Sequence, residues 1–228
     1  MPLIVITGAN RGLGLAHTRR YLERGWTVHA ACRDPEAADA LNALGGDLYI
    51  HRYDAADPAA PADLADAVAQ PVDVLFANAG VMGAERGKQA FGQVSPDDWM
   101  NALKINALAP LMLAQAFAGL VAQSEQKKIV LQSSRMGSIA DNDSGSGYVY
   151  RPSKAALNAI GKSLSINLKD KGISVAIMHP GWVQTDMGGS SAPLSTDEAV
   201  SGQQKLIDDL SLETSGTFWH QSGEVLPW

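Results

Sequence analysis

The chain has 228 residues, 46% of them hydrophobic, and a formal net charge of −6. That suits one large α/β domain, or at most two small ones, and its interspersed charges leave no polybasic tract to bind nucleic acid or an anionic membrane. A single cysteine, Cys32, excludes an intrachain disulfide and argues against a thiolate metal site.

In chain order, apolar runs at Leu3–Thr7, Thr27–Cys32, Leu48–Tyr53, Val72–Phe76, Lys128–Gln132 and Ile173–Met178 are predicted strands. Between them, helices are predicted over Gly12–Arg24, Pro61–Ala69, Asp97–Ala122 and Tyr150–Lys169, with Gly25 at the first cap. Strict alternation of this kind predicts a parallel sheet covered on both faces, an α/β doubly wound fold in one domain over 1–228. Phe218-Trp219-His220 is either a last strand or a lid. The chain start has no basic leader and no expected membrane span, so a cytoplasmic protein is the expectation. His17, His29, His51, His179 and His220 are scattered without metal-ligand spacing. The acidic stretch Asp141–Gly145 lacks the glycine and terminal glutamate of a calcium loop, so no metal is expected.

The first strand-to-helix turn reads Thr7-Gly8-Ala9-Asn10-Arg11-Gly12-Leu13-Gly14. Glycines here permit a tight turn and close approach of backbone to a pyrophosphate, and the helix start offers free N–H groups to the phosphates. This phosphate-binding signature suits a Rossmann-type fold, with Gly-x-x-x-Gly-x-Gly spacing in place of Gly-x-Gly-x-x-Gly. Further on, Tyr150 and Lys154 lie four residues apart and share a helix face. A nearby ammonium is expected to lower the phenol pKa; moving it from ~10 toward neutrality corresponds to roughly 4 kcal/mol. Such a phenol would serve as a general acid or base at a carbonyl. Ser134 closes the apolar run that begins at Lys128.

Together these motifs resemble the short-chain dehydrogenases and reductases over nearly the whole chain. The matching positions are Thr7 to Gly14, Asn78-Ala79-Gly80 after the fourth strand, Asn106, Ser134, Tyr150 with Lys154, and Pro180-Gly181. The family's Asn-Asn-Ala-Gly has Ala77 in its first position here, which predicts one lost hydrogen bond near the central strand. His179 to Gly189 and the ending Val225 to Trp228 are similar to the group of C-factor-like proteins and sniffer-type carbonyl reductases. The resemblance implies NADP-dependent reduction of a ketone, aldehyde or quinone. Tyr150 would protonate the carbonyl oxygen, Ser134 would hydrogen-bond it, and Lys154 would hold the nicotinamide ribose and depress the Tyr150 pKa. Asn106 would hold a water leading to Lys154. Val183 and Thr185 would meet the carboxamide, and Asp54 the adenine edge. Tyr148 and Ser133 compete with Tyr150 and Ser134, and the family register favours the latter pair.

Cofactor choice follows from charge. The second strand ends Ala31-Cys32-Arg33, so Arg33 faces where NAD enzymes place a carboxylate, and Arg11 lies in the phosphate turn. Both suit a 2′-phosphate, which favours NADP over NAD. Met82, Met136, Trp182 and Met187 are candidate walls of a substrate pocket, the last two in a short substrate-side segment about 182–200. The chain after Met187 leaves little room for a long lid. Helices Asp97–Ala122 and Tyr150–Lys169 resemble those of the family's four-helix interfaces, so a homodimer is expected. An NADP-binding regulatory or signalling protein with incidental redox activity is the alternative function.

Overall fold

The structure, a computed structural model, describes residues 1–228 apart from the side chain of Arg86. Seven parallel strands form one sheet: β1 (Leu3–Thr7), β2 (Thr27–Cys32), β3 (Leu48–Arg52), β4 (Val74–Ala77), β5 (Lys128–Gln132), β6 (Ser174–His179) and β7 (Thr217–His220). Their order across the sheet is β3-β2-β1-β4-β5-β6-β7. The Phe218-Trp219-His220 stretch is therefore an edge strand, not a lid. It pairs in parallel with β6, Ile177 opposite Phe218.

Period-two alternation assigns each side chain to a face. Val5, Leu75, Ile129, Val175 and Ile177 bury one face under α3 (Ala60–Val68), α5 (Ala109–Ala122) and α6 (Tyr150–Asn167), through Leu64, Phe117 and Leu157. Ile4, Ile6, Phe76, Val130 and Met178 bury the other under α1 (Gly12–Glu23), the short α2 (Asp39–Asn42) and α7 (Thr196–Asp208), through Tyr21, Leu41 and Ile207. Both faces are covered, which is why the strands read as continuous apolar runs.

One helical expectation needs correction. The helix expected over Asp97–Ala122 is three pieces: α4 (Pro96–Leu103), a π-helical turn (Lys104–Leu108) and α5. Pro110 removes one helical N–H donor just beyond that turn, and Asn106 sits within it, fully buried. The combined stretch Pro96–Ala122 is apolar enough by length and composition to match a membrane span, and half of its most apolar window is buried in the fold. After Met187 the chain builds a further core helix, α7. Ser195 and Glu198 form a reciprocal capping box that starts α7. At the other end Lys128 Nζ donates to the carbonyls of Ile207 and Asp208 at 2.7 and 2.9 Å, satisfying acceptors the helix leaves free.

Candidate active site

Strand order reverses at β1 and β4, so the chains leave their carboxyl ends in opposite directions and open a crevice there. Gly8 occupies the left-handed region at φ +67°. Gly14 packs so tightly that a Cβ would lie 2.1 Å from the Gly8 carbonyl oxygen. The turn is held from β4. Thr7 Oγ1 accepts from the Asn78 and Ala79 N–H groups, each at 3.2 Å. Asn78 Nδ2 donates to the carbonyls of Thr7 and Gly8 at 2.9 and 3.2 Å. Asn78, expected among the cofactor contacts, thus spends its carboxamide on shaping the turn. Ala77 is buried and apolar beside it. Arg11 stands at the N-cap of α1 without a capping hydrogen bond, leaving the first-turn N–H groups for a ligand, flanked by half-buried Asn10, Gly12 and Leu13.

Along the crevice, β5 and α6 bring three polar side chains together. Ser134 follows β5, its hydroxyl facing the Tyr150 phenol and accepting from Met136 N–H at 3.2 Å. Ser133 instead turns to Asn158 Oδ1 at 2.5 Å. Tyr148 is exposed and packs near Phe91, ring centroids 6.2 Å apart. Lys154, one turn beyond Tyr150, holds its ammonium 5.7 Å from the phenol ring centroid and donates to the Gln132 carbonyl at 2.8 Å. Nothing in the sequence marks Gln132, because it contributes a backbone oxygen.

The electrostatics differ from the sequence expectation. Burial pushes the Tyr150 phenol up to about 12, with the Ser134 hydrogen bond pulling the other way. Burial also draws Lys154 down to about 8. Desolvation therefore outweighs the pull of the Ser134 hydroxyl, and the phenol is protonated at neutral pH.

The Asn106 side chain is fully engaged within the fold. Its Oδ1 accepts from Val81 N–H at 2.8 Å, and Nδ2 donates to the Val81 carbonyl at 2.8 Å and Ser153 Oγ at 2.9 Å. Both amide donors are used, so the carboxamide pins the loop after β4. Gly80 lies between Asn106 and Lys154; a Cβ there would sit 3.1 Å from Asn106 Oδ1 and 3.5 Å from Lys154 Nζ.

The outer candidates fall at the rim. Arg11 is ion-paired with Asp186 at 2.6 Å, both exposed, so its guanidinium already has an anionic partner. Arg33 is exposed at the end of β2 and makes no ion pair among the described residues. Asp54 lies two residues past β3 and accepts from Ala56 N–H at 2.9 Å, forming a turn. Pro180, Gly181 and Trp182 follow β6, and Val183 bridges to Leu194, closing a loop that carries Thr185 and Met187. Thr185 approaches the glycine-rich turn; a Cβ on Gly12 would lie 3.5 Å from its methyl group. Met82 and Met136 are half-buried, and the Met136 methyl lies 3.2 Å from where a Gly147 Cβ would stand. Trp182 is half-exposed, its indole N–H donated to the Gly188 carbonyl at 2.8 Å, and Met187 is exposed.

The comparisons with known proteins agree with this architecture. The carbonyl reductase Sniffer of D. melanogaster superposes with a TM-score of 0.93 at 33% identity over the whole of both chains. The NADPH-bound carbonyl reductase from chicken fatty liver does so at 0.90 and 32%, again over both whole chains. In sequence, C-signal of Myxococcus xanthus is 43% identical over 158 residues, which is 69% of this chain and 93% of that protein. The family model for short chain dehydrogenase matches residues 2–194, and the chain belongs to the short-chain dehydrogenase family.

Proposed function

We propose that the protein is an NADP-dependent reductase of a small carbonyl compound, with Tyr150 as proton donor. The observation that carries this reading is geometric: the Tyr150 phenol is buried beside Ser134, with the Lys154 ammonium 5.7 Å from its ring centroid. A proton donor must hold its proton before the reaction, and a phenol raised to about 12 does. When bound, a nicotinamide cofactor supplies the hydride for the carbonyl carbon. Tyr150 gives its phenolic proton to the carbonyl oxygen. Ser134 donates a hydrogen bond to the same oxygen as its charge develops. Lys154 stabilises the phenolate left behind and returns a proton to it. Asn106 holds Val81 and Ser153 in place around the reacting groups.

The residues fit a dinucleotide. The Gly8–Gly14 turn, the uncapped start of α1 and the opening at Gly80 would receive the pyrophosphate and ribose, with Val183 and Thr185 on the nicotinamide side and Asp54 toward the adenine. Exposed Arg33 suits a 2′-phosphate, and two carbonyl reductases similar to this chain were solved with NADPH or NADP. Met82, Met136, Trp182 and Met187 offer apolar surface to a ketone, aldehyde or quinone. We assign the chain one domain and a soluble, cytoplasmic setting.

A homodimer through α4, α5 and α6 is supported by a groove of about 550 Å³ lined by Met100, Leu103, Leu108, Leu111 and Ile160, with Met100 and Leu108 exposed. The similarity to C-signal favours a signalling role beside turnover, which an intact site permits. The test is NADPH consumption, with NADH in parallel, over a panel of aldehydes, ketones and quinones. Turnover with NADPH preference is expected. Tight NADPH binding with no turnover of any compound would move the balance to the signalling reading.

A further inference from the structure

The helix that carries Tyr150 begins without a cap of its own. Val149 occupies the N-cap position, where an oxygen-bearing side chain would normally accept a first-turn N–H. Arg151 N–H reaches the Gly147 carbonyl at 2.9 Å, and Pro152 has no N–H to place. The Tyr150 N–H is taken by a residue far away in sequence: Gln89 Oε1 accepts it at 3.0 Å.

Gln89 is buried, and every arm of it is engaged. Its Nε2 donates to the carbonyls of Met82 and Ala84 at 3.2 and 2.9 Å. Its own carbonyl accepts from Tyr148 N–H at 3.1 Å. The other end of the Tyr150 residue is held as well. Ser153 Oγ donates to the Tyr150 carbonyl at 2.7 Å and accepts from Asn106, which pairs with Val81. Two buried carboxamides therefore bracket the Tyr150 backbone, and each ties it to an adjoining residue of the loop after β4, Val81 or Met82. A buried glutamine needed only for packing would be served as well by leucine or methionine, without the cost of desolvating an amide.

We propose that Gln89 is a positioning residue for the proton donor: it caps α6 from outside and fixes the Tyr150 phenol relative to the loop on the substrate side. This inference rests on the reading of Tyr150 as general acid. Gln89 touches neither the glycine-rich turn nor Lys154, so its influence belongs to the chemical step rather than to cofactor affinity. Proton transfer tolerates little misplacement; an error of about 1 Å costs on the order of a hundredfold in rate.

The experiment compares Gln89→Leu, Gln89→Glu and Tyr150→Phe in the full-length protein. Gln89→Leu should lower kcat by about tenfold to a hundredfold, leave the NADPH Kd within about twofold, and speed amide hydrogen exchange at Tyr148 and Tyr150 while the rest of α6 stays protected. Gln89→Glu separates positioning from packing even if the leucine variant does not fold. A protonated carboxyl keeps one donor and one acceptor, whereas an ionised one faces the Met82 and Ala84 carbonyls with no donor. Burial raises that carboxyl pKa, so kcat should fall as pH rises through it, a limb additional to the one Lys154 sets in the unsubstituted enzyme. Wild-type kcat in the folded Gln89→Leu variant, or a Gln89→Glu profile with no new limb, beside an inactive Tyr150→Phe, overturns the inference alone. Wild-type turnover by Tyr150→Phe removes the underlying reading and the inference with it.

Discussion

At Tyr150 two effects oppose each other on one phenol. Burial favours the neutral form, while the Ser134 hydroxyl favours the charged one. A Tyr-x-x-x-Lys spacing reveals the ammonium but says nothing about the burial, which depends on residues distant in sequence. That is why the sequence led to a depressed pKa and the fold yields a raised one. The arginines teach the same lesson. Arg33 is exposed at the end of β2, whereas Arg11 is already bound to Asp186. Replacing Arg33 with alanine should weaken NADPH by about tenfold or more, the scale of one charge-assisted hydrogen bond, and leave NADH nearly unchanged. Arg11→Ala should cost less, because that guanidinium must first leave its carboxylate. Equal losses for both cofactors on measuring their Kd values would contradict the 2′-phosphate assignment.

Among the elements, strands were the most legible. Leu3–Thr7, Thr27–Cys32 and Lys128–Gln132 are found at the bounds expected of them, and the others shift by one or two residues. Apolar runs bounded by turns suffice for strands buried on both faces. Helices were harder. The signature for α7 was present as Ser195-Thr-Asp-Glu198, a capping box, yet its apolar stripe is thin, Val200 and Ile207 among glutamines. Gln203 and Gln204 are buried polar residues that break the hydrophobic period; Gln203 is matched by Gln132 Oε1 at 2.9 Å and by His17 Nε2 at 3.1 Å. Lys128 fixes the far end of α7, and its role is invisible from a strand pattern. Replacing Lys128 with methionine removes two charged hydrogen bonds and should lower unfolding stability by about 2 kcal/mol. Urea denaturation checks this, and an unchanged midpoint would contradict the assignment.

For the whole molecule, the order of strands decides where chemistry happens. The reversal at β1 and β4 brings the glycine-rich turn to Asn78, and neighbouring β5 presents Ser134 to α6. The short motifs marked these places because each is local in the chain. Gln89 and the Gln132 carbonyl were not legible, since their partners lie 61 and 22 residues away and no local pattern encodes such pairings. The same packing sets the response to acid. Burial lowers all five histidines, His17 and His29 to about 4 and His179 to about 3. An unfolded chain with histidines near about 6.5 then binds more protons than the folded one, so stability present above about pH 6.5 is lost as pH falls toward about 4. The thermal midpoint should decline through that window, and a flat midpoint there would contradict it. The central claim, that Tyr150 donates the proton, is tested most directly by NADPH-dependent turnover of Tyr150→Phe beside the unsubstituted protein, with NADPH affinity measured on both. A loss of kcat by roughly 10²–10⁴ with affinity kept within a few-fold is the predicted result. Turnover at the unsubstituted rate would contradict it.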